Sequence, residues 1–291
     1  MTSFWSLVSR NNKIFRRDKT LVFFSLLSVI IVVALYAIFL QKIQLDAIKN
    51  IIEATPAIET MVNEWLVAGL LSMLAVTTTL GAFSITIQDI ESKAAADFLT
   101  SPLSRAKIQL SYVVNAFFIG VAFILVALVL CEVFIVATGG AVLGFEQMVK
   151  VLGLLLLSVL LASVFNMFLV LFVESRNAFS TLSTIVGTVL GFLCGVYVPV
   201  GVLPSFAQNI IQYFPISHTT VLLREAFMQD SIQTVFAGTP TEAVESYKLN
   251  FGVVYENGGS ILTSSTSLII IIATTLILTI VSVVIFKWKN K

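Results

Sequence analysis

Apolar runs of about membrane length recur along the chain, broken by short polar stretches. Six of them, approximately Leu21 to Leu40, Trp65 to Ile87, Ile108 to Cys131, Val151 to Val173, Asn177 to Val198 and Ile261 to Phe286, hold no Asp, Glu, Lys or Arg at their centres. A helix rises about 1.5 Å per residue and the hydrocarbon core is about 30 Å thick, so one crossing takes roughly 20 such residues. A charge at the centre of a span would cost about 2.5 to 3.5 kcal/mol. Runs such as LLLLSVLLASVFNMFLVLFV lack the alternation of a barrel strand, which sets a β-barrel aside. The first run is longer than a signal core of about 7 to 15 residues and no small-x-small cleavage site follows it, so it reads as a retained span. The pattern predicts an all-α polytopic membrane protein with six transmembrane helices, forming a single domain over residues 1–291.

The interruptions carry the remaining information. Residues 1–19 place Phe4, Trp5, Leu7, Val8, Ile14 and Phe15 among Arg and Lys, which predicts an amphipathic helix lying in the membrane interface. Between the second and third spans stands DIESKAAADFLTSPLSRAKIQLS, with three acids and three bases. Residues 88–100 of this region predict a short helix with Ile90, Ala94 and Phe98 near helical spacing, closed by Ser101 as a cap with Pro102 opening the next span. A solvated loop whose charges fix topology would explain the ions. It would not call for the triplet Ala94 to Ala96 or an exposed Phe98, so Asp89, Glu91, Lys93, Ala94, Ala95, Asp97 and Phe98 form a candidate docking element for a cytoplasmic partner. In residues 199–229, Pro199, Pro204 and Pro215 forbid one continuous helix. Two short amphipathic helices dipping into the outer leaflet are expected there, one opened by Pro204 and one capped by Ser217.

Composition and charge narrow the class. With 58% hydrophobic and 11% charged residues, the chain has too little polar surface for a soluble globule. If the amino terminus is cytoplasmic, twelve of the 17 Lys and Arg lie inside, and only Lys42, Lys49, Lys150, Arg224 and Lys248 lie outside. That bias predicts both termini, and the charged segment before the third span, on the cytoplasmic side. A net charge of +1 without a basic run excludes a nucleic-acid partner. Cys131 and Cys194 sit in or beside apolar runs and read as packing thiols.

Catalytic signatures are missing. The chain has no G-x-x-x-x-G-K-S/T, H-E-x-x-H or G-x-S-x-G pattern, and its one histidine, His218, reads as a surface or packing residue. No metal-ligand or paired-acid set stands within the spans; Glu132, at the outer end of the third span, is the one acid placed to meet a substrate. In the fifth span, Gly187, Gly191 and Gly195 recur every four residues and could form a seam with a second copy, or pack within one subunit.

The order of these features resembles the membrane subunit of ATP-binding-cassette exporters of the type-2 permease superfamily. The resemblance is carried by Ser101, Pro102 and Arg105 in FLTSPLSRAKI and by Pro199, Leu203, Pro204 and Pro215 in the stretch that ends LLREAF. It departs from the family pattern at Ala94 to Ala96, where bulkier or charged residues are common. The resemblance implies two separate ATPase subunits that bind ATP and magnesium, no cofactor in this chain, and a second permease copy or paralogue. It further implies a path along spans one, two and five and a place in a bacterial plasma membrane among its lipids. With 23 Phe and no charged lining, the cargo expected is hydrophobic or amphiphilic: a drug, a lipid, a lipid-linked glycan or a peptide. A membrane sensor or immunity protein without transport is the alternative; it would keep the spans but would not need a docking helix.

Overall fold

The computed structural model describes residues 2–42, 55–101, 103–257 and 260–289. Its helices in chain order are α1 (Thr2–Arg17), α2 (Lys19–Leu35, continued by a π-helical turn over Tyr36–Leu40), α3 (Pro56–Ala82), α4 (Ser84–Glu91), α5 (Ala94–Thr100), α6 (Arg105–Ala137), α7 (Phe145–Val170), α8 (Arg176–Leu193), α9 (Ser205–Tyr213), α10 (Pro215–Val235), α11 (Thr241–Asn250) and α12 (Ser264–Lys289). A two-residue hairpin pairs Glu256 with Ile261 and Asn257 with Ser260, and the rest of the described regular structure is helical. This is an all-α polytopic membrane protein.

Among the described residues, four helical stretches are long and apolar enough to cross a membrane: Pro56–Glu91, Arg105–Ala137, Phe145–Val170 and Ser264–Lys289. A fifth is reached if α1 and α2, bent by 76° at their junction, count as one. The bend has a local cause. Asp18 caps α2, its Oδ1 accepting from the Leu21 N–H at 2.9 Å, and a capped start lets the chain change direction there. The count of six expected from the apolar runs is not reached on length and composition, because the run from Asn177 to Val198 yields only the 18 residues of α8. That helix begins with Arg176 and Asn177, carries Ser180, Thr181, Ser183, Thr184 and Thr188, and stops at Leu193.

The core is organised around α3, against which α6, α7 and α10 pack. Nearly every residue of α3 from Met61 to Val76 is buried, whereas α12 leaves Ile269, Ile272, Leu276, Ile277 and Ile280 exposed on its outer face. An apolar face of that kind suits lipid.

The region after α8 departs from expectation. α9 follows Pro204 as predicted, but the next helix opens at Pro215, runs for 21 residues and is buried over most of Ile216 to Met228, with its last turns exposed at Gln229, Asp230, Gln233 and Thr234. Ser217 does not cap it; its hydroxyl donates back to the carbonyl oxygens of Ile211 and Phe214. The polar residues near its start are paired internally: His218 meets Ser267 Oγ at 3.1 Å and the Gln212 carbonyl at 2.9 Å, and Thr219 donates to the Ile216 carbonyl. A polar side chain with an internal partner can be buried at little cost, so composition alone did not show the length and burial of α10.

Candidate functional site

The charged segment before α6 folds as a hairpin, not as the single helix expected. α4 ends where the Ser92 N–H reaches the carbonyls of Gln88 and Ile90, Lys93 takes a left-handed conformation (φ 64°), and α5 starts at Ala94. Lys93 is the one non-glycine residue with positive φ among those described, and such backbone strain concentrates where structure is over-determined or functional.

The acids of this hairpin tie it to three other helices. Asp89 is only 3% exposed, and its carboxylate is gripped by both terminal nitrogens of the Arg10 guanidinium on α1, Nη2 standing 2.6 Å from Oδ1. Tyr112 on α6 donates its hydroxyl to Asp89 Oδ2 at 2.7 Å. The Arg10 guanidinium also stands 5.0 Å from the centre of the Phe98 ring on α5. This planar two-pronged pairing fixes orientation as well as charge. Glu91 binds α8, its Oε2 2.6 Å from Arg176 Nε and its Oε1 accepting from the Arg176 N–H. Movement of the hairpin therefore bears directly on α1, α6 and α8.

Of the seven docking candidates, the structure brings all onto this hairpin but gives them different duties. Asp89 is buried in the Arg10 pair, Glu91 is engaged with Arg176, and Phe98 is half-buried against the core. Ala94 and Ala95 are half-buried, while Lys93, Ala96, Asp97 and Thr100 are exposed. Ser101 closes α5, its hydroxyl donating to the Phe98 carbonyl at 2.6 Å, and α6 opens at Arg105 behind Ser104; Pro102 lies outside the described residues. Pro199, Pro204 and Pro215 each stand at the start of a helical turn or helix, as their fixed φ favours.

The far end holds a second polar centre. Arg224 on α10 is fully buried without a carboxylate; Nη1 donates to the carbonyls of Phe251 and Gly252, and Nη2 to those of Cys194 and Gly195. Cys194 and Phe251 are the residues that end α8 and α11, so the cation sits at two helix carboxyl termini, where the backbone dipoles are negative. Trp65 covers the guanidinium at 4.4 Å and donates its Nε1–H to the same Phe251 carbonyl at 2.7 Å.

The family model described as ABC-2 type transporter matches residues 2–228, taking in the bent amino-terminal pair, the hairpin, α6 to α9 and the larger part of α10. The chain belongs to the ABC-2 type transporter family. No curated protein matches it. It is thus a transmembrane permease component of an ABC-type transporter, a membrane part that works with an ABC ATPase.

Within this ABC-2 permease, the three glycines of α8 and its end divide. A Cβ on Gly191 would lie 1.9 Å from the Tyr197 ring of the same chain, and Gly195 has φ +58°, a turn residue beside Arg224. Gly187 meets nothing within 4 Å, which leaves it free for an outside contact. Gly191→Ala should therefore lower the thermal stability of the purified monomer, and Gly187→Ala should leave it unchanged; equal losses in a melting assay would overturn this division of roles. Glu132 is half-buried, Oε2 accepting from the Leu143 N–H at 3.3 Å, and it touches neither polar centre in these contacts. Both cysteines are buried free thiols. Sequence reasoning missed Arg10, Tyr112, Trp65 and Arg224 as site residues.

Proposed function

We propose that this ABC-2 permease exports a hydrophobic or amphiphilic substrate from the cytoplasm of a bacterial cell, as one of two permease copies energised by two separate ATPase subunits that bind ATP and magnesium. The observation that carries the reading is the α4–α5 hairpin, which exposes Ala96, Asp97 and Thr100 while its other side is pinned to α1, α6 and α8. A docking element needs both properties: a free face for the partner and stiff links to what must move. ATP closes the ATPase pair, the hairpin follows, and the linked helices shift toward an outward-open population. The path between copies runs beside α8, whose exposed Asn177, Thr181, Thr184 and Thr188 form one face. The threonine hydroxyls there are satisfied by carbonyls one turn back, so that face can meet an amphiphile without stranding a donor.

The test is co-purification in mild detergent. A stoichiometric ATPase should accompany the wild type, and Asp97→Arg with Thr100→Arg should release it while leaving membrane insertion and the melting curve intact. A protein that purifies alone from its native membrane would instead favour a sensor or immunity role without transport.

A further inference from the structure

Behind the hairpin lies a cavity of about 340 Å³, one side of which is formed by Lys93, Ala95 and Ala96 of the hairpin itself. Its apolar wall comes from Ile108 of α6, Met167 and Val170 of α7, Val173 and Phe286, with Ile90 of the hairpin at one side. Its charged residues are Lys93, Lys289 and Glu174, all exposed, and Glu174 is paired with Lys289 at 2.6 Å. Two cations against one carboxylate leave a net charge of +1 at the rim. Lys93 is the uncompensated cation: no carboxylate of the described residues pairs with it, and it is held by the strained left-handed turn. Thr86, 8% exposed, also lines the cavity, with its Oγ1 closed off from it.

We propose that this cavity binds one monoanionic phospholipid of the leaflet beside the hairpin. The acyl chain fills the wall of Ile108, Met167, Val170 and Phe286, and the phosphate lies against Lys93 and Lys289. The chemistry selects this occupant. A neutral amphiphile would leave the Lys93 charge unused, and a free inorganic anion would leave the apolar wall empty. A side chain of a soluble partner is a poorer fit, because most of the wall is built from residues of the membrane-crossing helices and their ends. The occupant would also touch Tyr112, which lines the cavity and holds Asp89, so lipid bound here stiffens the junction that the hairpin works against.

The choice of leaflet rests on the orientation proposed above, but the binding test does not involve the ATPase and can fail while the transporter reading stands. The full chain, purified in mild detergent, is titrated with dioleoylphosphatidylglycerol or dioleoylphosphatidylcholine and weighed by native mass spectrometry. One phosphatidylglycerol per chain should remain bound at detergent concentrations that strip phosphatidylcholine. Lys93→Glu, which replaces an exposed side chain, should weaken its retention at least about tenfold. A photo-crosslinking residue at Ile90 should yield a lipid adduct in native membranes. Equal retention of both lipids, equal retention by Lys93→Glu, or a protein adduct at Ile90 in place of lipid would each overturn the proposal.

Discussion

Arg224→Met should destabilise the permease by roughly 3 kcal/mol or more, because it strands several buried carbonyl acceptors. The substitution approximates the length of the side chain but removes the guanidinium donors of the Cys194, Gly195 and Gly252 carbonyls, while the Phe251 carbonyl keeps only the Trp65 Nε1–H. Each unsatisfied buried acceptor costs on the order of 1 to 3 kcal/mol, partly recovered where water can enter. Arg224→Lys should be only a partial rescue. An ammonium is a point charge with three donors and cannot span two helix ends at once, and it loses the flat contact over Trp65. The expected order in a chemical-denaturation series is therefore wild type, then Lys, then Met. The segment after α11 should also loosen, so hydrogen exchange at the amides of residues 249–255 should rise in both variants. A Met variant with wild-type stability and exchange would remove Arg224 from its role as the tie between α8, α10 and the segment after α11.

That cluster also marks where the sequence stopped being legible. The apolar runs predicted α3, α6, α7 and α12 because their length and lack of central charge have few other readings. The hairpin was found from its charge density, and the helix α1 from its apolar face among basic residues. Arg224, in contrast, entered only the count of basic residues on the two sides, and nothing in its one-dimensional neighbourhood marked it as buried. Its partners are backbone carbonyls 27 to 30 residues away, and carbonyls have no signature in a sequence. The same blindness explains α10, whose Ser217, His218 and Thr219 are satisfied by nearby carbonyls and a distant serine. It explains α8 as well. The left-handed Gly195 and the ring of Tyr197 against Gly191 end that helix early, and a glycine every fourth residue reads equally well as a packing stripe. At the hairpin, the charges were legible but their duties were not, since Asp89 meets an arginine 79 positions earlier.

Asp89→Ala should uncouple ATP hydrolysis from transport while leaving the ATPase attached. The exposed residues Ala96, Asp97 and Thr100 would still present the docking face, but α1 and α6 would lose their common anchor on α4. Because the Arg10 side chain is about one-third exposed at 32%, water compensates part of the loss, and the stability cost should be about 1 to 3 kcal/mol, below that of a sealed ion pair. A double-mutant cycle separates this link from a general packing defect. Arg10→Ala and Asp89→Ala should each lower the number of substrate molecules moved per ATP, and the double variant should be little worse than either single one, because both remove the same contact. Exchanging the charges in Arg10→Asp with Asp89→Arg should recover only part of the coupling, since Tyr112 then faces a guanidinium and loses its acceptor. Additive losses in the cycle, or normal coupling in Asp89→Ala, would mean that α1 follows the hairpin through apolar packing alone. In that event the Arg10 grip would be a device for holding α1 against the bundle during folding, and the motion would have to pass through Glu91 and Arg176 to α8.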